Sequence, residues 1–454
     1  MKRDNTELFA KAPVLKAIML LAIPTVISQL ITVIYNMADT FFIGQLGDPN
    51  QVAAASLAMP VFMMLNAIAN LFGIGGASLV SRSFGKGEME KARRAGAFGL
   101  WSAIVVAFIY GIAILILKPV LLPAIGTNAG TYDFCYQYLF WTITIGAVPT
   151  VMSTTLSHLV RAEGYSAHAS IGIALGGILN IFLDWLLIFV FGMNIIGAAI
   201  ATMLSNVIAS CYFIVLIILK RSSLNISLDP RYYSIRQRIP REVMLVGLPS
   251  SILSIMAVFS NVVLNKLLAS YCNEAIAGIG IAKKIDFVVY AVGVGLAQGV
   301  LPLIAYNYSS GNIKRMKSAI KLTLLICLAM ALVGVLSLFF LAEPLVRAFI
   351  DDALTVEYGS VFQKIISISV AFSAFSMVII TIFQACGKKL QPTVLSFLRK
   401  GCVDIPFMLL LNKLIGVYGI AWATPVADFI AMCVAFALFV PFWKEFNKFH
   451  NEIK

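Results

Sequence analysis

The chain alternates long apolar stretches with short polar breaks from one end to the other. The apolar stretches reach the roughly 20 residues that a helix needs to cross a membrane, and charge clusters, glycine, proline and asparagine mark the breaks. The pattern predicts an all-α integral membrane protein with twelve transmembrane helices. The predicted spans are 15–44, 52–80, 94–118, 133–160, 167–191, 195–219, 243–270, 275–306, 317–342, 356–384, 392–413 and 417–441.

Composition supports the membrane class. Of the 454 residues 60% are hydrophobic and only 12% are charged, whereas soluble proteins carry about 25% charged residues. The seven cysteines and three histidines lack metal-ligand or CxxC spacing, so we expect neither disulfides nor a metal catalyst. The first apolar segment is too long for the core of a signal peptide.

Lysine and arginine concentrate in alternate polar breaks. If both termini are cytoplasmic, the termini and the even-numbered loops hold most of the 34 basic residues, which is the positive-inside pattern. We therefore expect both termini in the cytoplasm, basic loops against anionic lipid, and no nucleic-acid partner. The basic residues of these loops and of the adjoining helix ends include Arg82, Lys86, Lys91, Arg93, Arg94, Arg161, Lys220, Arg221, Lys314, Arg315, Lys388 and Lys389, with Arg399 and Lys400 at the inner end of the eleventh span.

The two halves of the chain repeat one another. Leu248-Pro249 repeats Ile23-Pro24, and Gly311 repeats Gly87. Because each half has an even number of spans, the repeat is parallel. We predict two pseudo-symmetric six-helix bundles, whose facing surfaces suit alternating access. Their bounds are an N-terminal lobe at 1–220, a cytoplasmic linker at 221–242 and a C-terminal lobe at 243–454.

Four polar residues of the first half are predicted to share one depth in the membrane. Asp39, Asp184 and Thr202 lie on the order of 10 Å below the outer boundary, and Asn180 precedes Asp184 by one turn. A buried carboxylate is costly, but this oxygen set suits a hard cation, and two close carboxylates tend to share a proton. The alternative is that Asp39 and Asp184 only pin helices through hydrogen bonds.

The second half carries its own charges within predicted spans: Lys283, Lys284, Asp286, Asp404 and Asp428. Lys283 and Asp286 are three residues apart, so they can pair on one helix face. Two interpretations remain open for this C-lobe charge network. It is either a neutralised structural network, or a second proton relay or part of the substrate path.

Several short motifs resemble those of the multidrug and toxic compound extrusion (MATE) transporters. The resemblance covers essentially the whole chain and is closest to the bacterial DinF-like and MepA-like branches. The motifs are Asn36–Gly44, Ser81–Gly87, Arg161–Gly164, Leu179–Asp184, Pro302–Asn307 and Gln384–Gly387.

The resemblance implies a cation-coupled antiporter that exports organic, usually cationic and amphipathic, compounds. Protons, sodium or both would drive export, without a cofactor, and the chain has no GxxxxGK[ST] nucleotide motif. In this family Asp39, Asn180, Asp184 and Thr202 match the cation site of the N-terminal lobe, and they would be metal ligands only if sodium is the coupling ion.

The same resemblance sets further expectations. Ala257 and Phe375 stand where a NorM-like branch carries Glu and Asp, which puts a second sodium site in the C-terminal lobe in doubt. We expect a monomer in a bacterial cytoplasmic (inner) membrane, with small organic molecules and membrane lipids as its partners.

Two other functions are compatible with parts of the sequence. A lipid-linked saccharide flippase of the same superfamily would show a cationic cavity, and only Lys283 and Lys284 favour it. A membrane-embedded enzyme or sensor would need a catalytic constellation or a signalling output. Because no nucleophile and base occur together in the sequence, we assign no catalytic residue and expect no enzyme.

Overall fold

The computed structural model describes residues 7–46, 48–268 and 270–452, and most of them are helical. The helices of the first half are α1 Val14–Gly44, α2 Pro49–Gly85, α3 Met89–Ala124, α4 Tyr132–Leu139, α5 Ala147–Ala162, α6 Ser166–Asp184 and α7 Asn194–Leu219. Those of the second half are α8 Ile239–Leu268, α9 Asn273–Ser309, α10 Ile313–Phe340, α11 Ala342–Arg347, α12 Ala353–Ala385, α13 Leu390–Phe397, α14 Asp404–Ile415 and α15 Val417–Glu452.

Three short π-helical segments continue helices of this set. Phe140–Ile145 follows α4, Trp185–Val190 follows α6 and Leu398–Cys402 follows α13. Such segments are uncommon and often occur at functional sites. The sequence pattern gave no indication of them. Phe140–Ile145 and Trp185–Val190 keep the apolar character of the surrounding helices, whereas Leu398–Cys402 contains Arg399 and Lys400.

The described helices confirm the predicted membrane fold. Ten of them are long and apolar enough to cross a membrane, and α4 with α5 forms a further span that bends by 50°. The remaining predicted span, 392–413, corresponds to α13, the π-helical segment Leu398–Cys402 and α14. The π-helical segment contains Arg399 and Lys400, and α14 begins at Asp404. The observed ends agree closely with the predicted ones, except that α15 continues to Glu452.

Glycines end the same helices in both halves. Gly87 follows α2 and Gly311 follows α9, with φ angles of 75° and 77°. Gly164 follows α5 and Gly387 follows α12, at the end of the fourth span of each half, with φ angles of 89° and 71°. Glycine adopts this left-handed conformation without steric cost. The repeat is therefore present in the backbone geometry as well as in the sequence.

The chain packs into two compact units that differ from the two sequence halves. The first unit contains the chain up to Lys11 together with Ile27–Ser254, and the second contains Ala12–Val26 together with the chain from Ile255 onward. The start of α1 thus packs with helices of the second half, and the start of α8 packs with helices of the first half. The lobe boundaries at 220 and 243 stay a prediction from the repeat.

Close glycine contacts explain both exchanged segments. On α9, a Cβ added to Gly295 or Gly299 would lie 2.6 Å from the Cα of Val26 or Ala22 on α1. On α8, a Cβ at Gly247 would overlap the Leu71 carbonyl oxygen of α2. Small residues of this kind let membrane helices approach closely.

The segment between α7 and α8 is fastened to the first unit. Its residues Leu224, Asn225 and Ile226 are buried, and the ring of Tyr233 stacks on Phe98 of α3 at 5.5 Å. The carboxylate of Glu163, at the end of α5, accepts the backbone N–H groups of Asn225 at 2.7 Å and Ile226 at 2.6 Å. The segment that was predicted to be a linker is therefore held in place by buried side chains and hydrogen bonds.

Candidate cation site

Three helices of the first unit supply the four predicted cation-site residues. Asp39 lies near the end of α1, Asn180 and Asp184 lie in the last two turns of α6, and Thr202 lies in the third turn of α7. Asp184 is the last α-helical residue before the π-helical segment that begins at Trp185. The change of helical pitch falls at the position of the carboxylate.

Glycines in α6 bring these three helices together. A Cβ at Gly177 would lie 2.9 Å from the ring of Tyr35 on α1 and 3.0 Å from Ile31, and one at Gly176 would lie 3.2 Å from the Ala209 side chain on α7. Asp39 is one turn beyond Tyr35, and Asn180 is one turn beyond Gly176. The small residues therefore set the spacing at which the polar groups meet.

The structure places the four residues in one buried cluster. The Asn180 side-chain amide donates to the Thr202 hydroxyl at 3.4 Å. Asp184 is fully buried, Asn180 is 1% exposed and Thr202 is 9% exposed, whereas Asp39 is half-buried. Asp39 and Asp184 lie close enough to interact electrostatically.

Several acceptor oxygens in this cluster have no hydrogen-bond donor among the residues that the structure describes. They are Oδ1 of Asp39, both carboxylate oxygens of Asp184 and Oδ1 of Asn180. A buried polar group without a partner is destabilising, and a proton or a hard cation would satisfy such a set of carboxylate and amide oxygens. This set of oxygens therefore fits either a proton or a sodium ion.

A second layer of polar groups holds the cluster in place. The Asn206 amide donates to the Thr202 carbonyl at 2.8 Å, and the Ser153 hydroxyl donates to Asn206 Oδ1 at 3.0 Å. Tyr138 lies within electrostatic range of both Asp39 and Asp184. Sequence reasoning missed these three residues, although polar side chains inside predicted spans were a usable signal.

The C-lobe charge network is built mainly around the π-helical segment after α13. Arg399 Nε donates to Asp428 Oδ1 at 2.6 Å, and both side chains are almost fully buried. Lys400 Nζ lies 3.6 Å from Asp404 Oδ2. Asp404 also accepts the Ser260 hydroxyl at 2.6 Å. Two of the three predicted carboxylates are therefore paired with cations.

Arg399 and Lys400, counted in the sequence among the cytoplasmic cations at the inner end of span eleven, are paired with carboxylates in the structure. Both residues lie well inside the 390–415 segment, and Arg399 is only 3% exposed. A buried arginine needs a counter-ion because its desolvation is costly. The sequence signal was present, since Asp428 is a carboxylate within the twelfth predicted span.

The expected pairing of Lys283 with Asp286 is not formed. The Lys283 ammonium instead donates to the Asn261 side-chain oxygen of α8 at 2.7 Å, and Oδ1 of Asp286 is buried without a partner. Lys284 is exposed. In the described ranges 7–46, 48–268 and 270–452, no carboxylate oxygen lies within 4.0 Å of either lysine.

Comparison with known proteins matches this architecture along nearly the whole chain. The multidrug export protein MepA of Staphylococcus saprophyticus is 31% identical over 435 residues, which cover 96% of this chain and 95% of MepA. MepA of Staphylococcus aureus strain MRSA252 is 31% identical over 440 residues, which cover 97% of this chain and 96% of MepA.

Solved structures show the same fold. The chain superposes with a TM-score of 0.89 and 23% identity on an outward-facing multidrug resistance MATE family transporter, covering 98% of this chain and 99% of that one. A MATE structure in a bent conformation gives a TM-score of 0.86 and 22% identity, with 98% of both chains covered.

The fold and these relatives define a multi-pass membrane transporter, not an enzyme. The MatE family model matches the chain twice, at residues 24–186 and 249–410. The chain belongs to the MatE family. The double match begins at Pro24 and Pro249, and it confirms both the expected family and the internal repeat.

Proposed function

We propose that this chain is a cation-coupled antiporter that exports organic compounds by alternating access. The observation that carries the proposal is the group of buried oxygens on Asp39, Asp184 and Asn180 that lack hydrogen-bond donors. Protons or sodium ions would fill this site as the coupling ion. The same oxygens can bind a proton or a sodium ion, so either ion can be the coupling ion.

Linkage explains how such a site drives export. A cation that binds the carboxylates of Asp39 and Asp184 stabilises the conformation in which they lie together. A substrate that favours the other conformation is then bound less tightly, and the effect is reciprocal. Energy stored in a cation gradient is thereby spent on moving the substrate in the opposite direction.

The substrate class is inferred from the relatives. Two relatives about as long as this chain are multidrug export proteins, so we propose structurally varied organic amphipaths, mostly cationic. We also propose that the protein works as a monomer in a bacterial cytoplasmic membrane with both termini inside. The relatives favour export over the flippase alternative, because those that match nearly the whole chain are multidrug export proteins.

Substitution of the two carboxylates tests the proposal. In cells that lack other exporters, Asp39→Asn and Asp184→Asn should each abolish resistance to an exported compound while the protein stays folded in the membrane. Asp133→Asn removes an exposed carboxylate at the start of α4 and should leave resistance unchanged. Full resistance in both site variants, at equal membrane abundance, would contradict the coupling role.

A further inference from the structure

The second unit carries polar side chains on an exposed face that lies within its spans. Asn261 and Asn265 are exposed on α8, one turn apart, and Lys284 and Gly280 are exposed on α9, where Lys283 is half-buried. A Cβ added to Gly280 would meet no atom within 4 Å, so there is open space one turn before the lysines. We call these five residues the basic face.

The basic face lies well inside the membrane-spanning part of both helices. Lys283 is ten residues beyond the start of α9, about 15 Å along the axis, and Asn261 is seven residues before the end of α8, about 10 Å. Exposed lysines at this depth are costly in lipid. An exposed polar face there is therefore expected to meet water and solutes.

Lys283 lacks a counter-ion of its own. Its hydrogen-bond acceptor is the neutral amide of Asn261. Asp286, Asp404 and Lys400 are the charged groups that act on it from farther away. Asp404 is engaged by Lys400 and Ser260. The ammonium therefore has N–H groups left that can donate hydrogen bonds to an acidic group from outside the protein.

The charges of the whole cluster leave one cation in excess. The cluster contains four cations and three carboxylates. The cations are Lys283, Lys284, Arg399 and Lys400, and the carboxylates are Asp286, Asp404 and Asp428. The Arg399–Asp428 and Lys400–Asp404 pairs neutralise two cations. Even an ionised Asp286 would balance only one of the two lysines on the basic face. An acidic group that binds there would complete the balance.

We infer that Lys283, positioned by Asn261, binds the carboxylate or phosphate group of an amphipathic substrate. This inference rests on the proposed export function and narrows its substrate class. Zwitterions and organic acids would then be substrates alongside simple cations. The depth of the basic face favours a substrate over a lipid headgroup, because headgroups lie at the membrane surface.

A pair of dyes separates recognition of the acidic group from binding in general. Binding of a rhodamine with a free carboxylate, and of its methyl ester, is measured by fluorescence anisotropy on the purified full-length chain. Lys283→Gln should weaken binding of the carboxylate dye by about tenfold to a hundredfold, as expected for a lost charge-assisted hydrogen bond. Binding of the ester should stay the same or become tighter.

Two further variants act as controls. Lys283→Arg keeps the charge and should retain binding of the carboxylate dye. Lys266→Gln removes an exposed lysine from the last turn of α8 with the same change in net charge, and it should affect neither dye. Equal weakening of both dyes by Lys283→Gln, or no binding of the carboxylate dye to the native protein, would overturn the inference.

The lipid alternative and the export proposal are tested separately. In nanodiscs, phosphatidylglycerol that competes with the carboxylate dye in the native protein but not in Lys283→Gln would assign the basic face to a headgroup and overturn the substrate assignment. Since binding is measured without a gradient, selective loss of the carboxylate dye would support the inference even if transport later proved independent of cation gradients. That second result would contradict only the proposed coupling.

Discussion

The carboxylates of this protein differ in the cations and hydrogen-bond donors that contact them. Asp428 is paired with Arg399 at 2.6 Å. Asp404 pairs with Lys400 and accepts hydrogen bonds from two hydroxyl groups. Both oxygens of Asp184 are buried without a donor. A paired carboxylate has its charge compensated within the fold, whereas one without a donor is more stable when a proton or a metal ion binds. This contrast supports the proposal that Asp184, rather than Asp404 or Asp428, binds the coupling ion.

Glu163 is a third kind of carboxylate, outside the membrane spans. Its oxygens accept the backbone N–H groups of Asn225 and Ile226. Burial raises the pKa of Glu163 to about 7, although those hydrogen bonds and the charge of Arg93 lower it. The link between α5 and the following segment is therefore expected to depend on pH.

The pH dependence has a definite sign. The pKa of Glu163 is higher in the folded protein than its ordinary 4.5, so the folded protein holds this proton more tightly. The contact between Glu163 and residues 225–226 therefore loses up to roughly 3 kcal/mol of stability as pH rises from 4.5 to about 7. Hydrogen-exchange protection factors of the Asn225 and Ile226 amides should fall over this range. Glu163→Gln should make them insensitive to pH.

The Thr355 amide is the internal control for this experiment. It donates to Asp352 at 2.8 Å, and hydrogen bonds from Thr355 lower the pKa of Asp352. Asp352 is thus ionised throughout the same pH range, so protection of Thr355 should stay constant. Protection of Asn225 that is equal at both ends of the range, or that rises with pH, would contradict the assignment.

At the scale of helices, close glycine contacts determine which elements pack together. Gly247 of α8 lies against the Leu71 backbone of α2. Gly247→Ala should reduce the free energy of unfolding by about 1–3 kcal/mol or more, as overpacking does. Gly280→Ala adds the same methyl group to α9 where no atom lies within 4 Å, and it should be neutral or stabilising.

Thermal unfolding in detergent compares the two glycine variants directly. The predicted order of melting temperature places Gly247→Ala clearly below the native protein, with Gly280→Ala at or above it. A native melting temperature for Gly247→Ala would show that the contact between α2 and α8 does not constrain the fold.

The positions of the helices followed from the sequence, and the interruptions within them did not. Apolar length and glycine breaks, such as Gly87 and Gly311, predicted the spans well. The π-helical segments at Trp185–Val190 and Leu398–Cys402 depend on tertiary packing, which leaves no local pattern.

Contacts between distant helices were partly predictable. Depth along the spans placed Asp39, Asp184 and Thr202 at one level, and the structure brings them together. The partner of Lys283 was mispredicted, because the i,i+3 rule considers one helix alone, whereas Asn261 on α8 supplies a nearer acceptor. The pairing of Arg399 with Asp428 was not predicted, because the count of basic residues did not consider carboxylates in other spans.

At the scale of the molecule, a repeated scaffold carries unlike charges. The family model matches both halves, and glycines end corresponding helices in the same conformation. Asp39, however, corresponds to the buried Leu264 across the repeat. The first unit brings Asp39 and Asp184 close to one another, whereas in the second unit Asp404 and Asp428 are paired with cations. The proposed cation site and the proposed basic face therefore lie in different units.

Cation-coupled export by this protein can be measured as efflux from proteoliposomes under separately imposed proton and sodium gradients. At least one gradient should accelerate movement of an amphipathic cation in the opposite direction. Asp184→Asn should abolish that acceleration, and Asp133→Asn should preserve it. A native transport rate indifferent to both gradients, or gradient-driven transport that persists in Asp184→Asn, would show that the Asp39–Asp184 site does not couple cation movement to export.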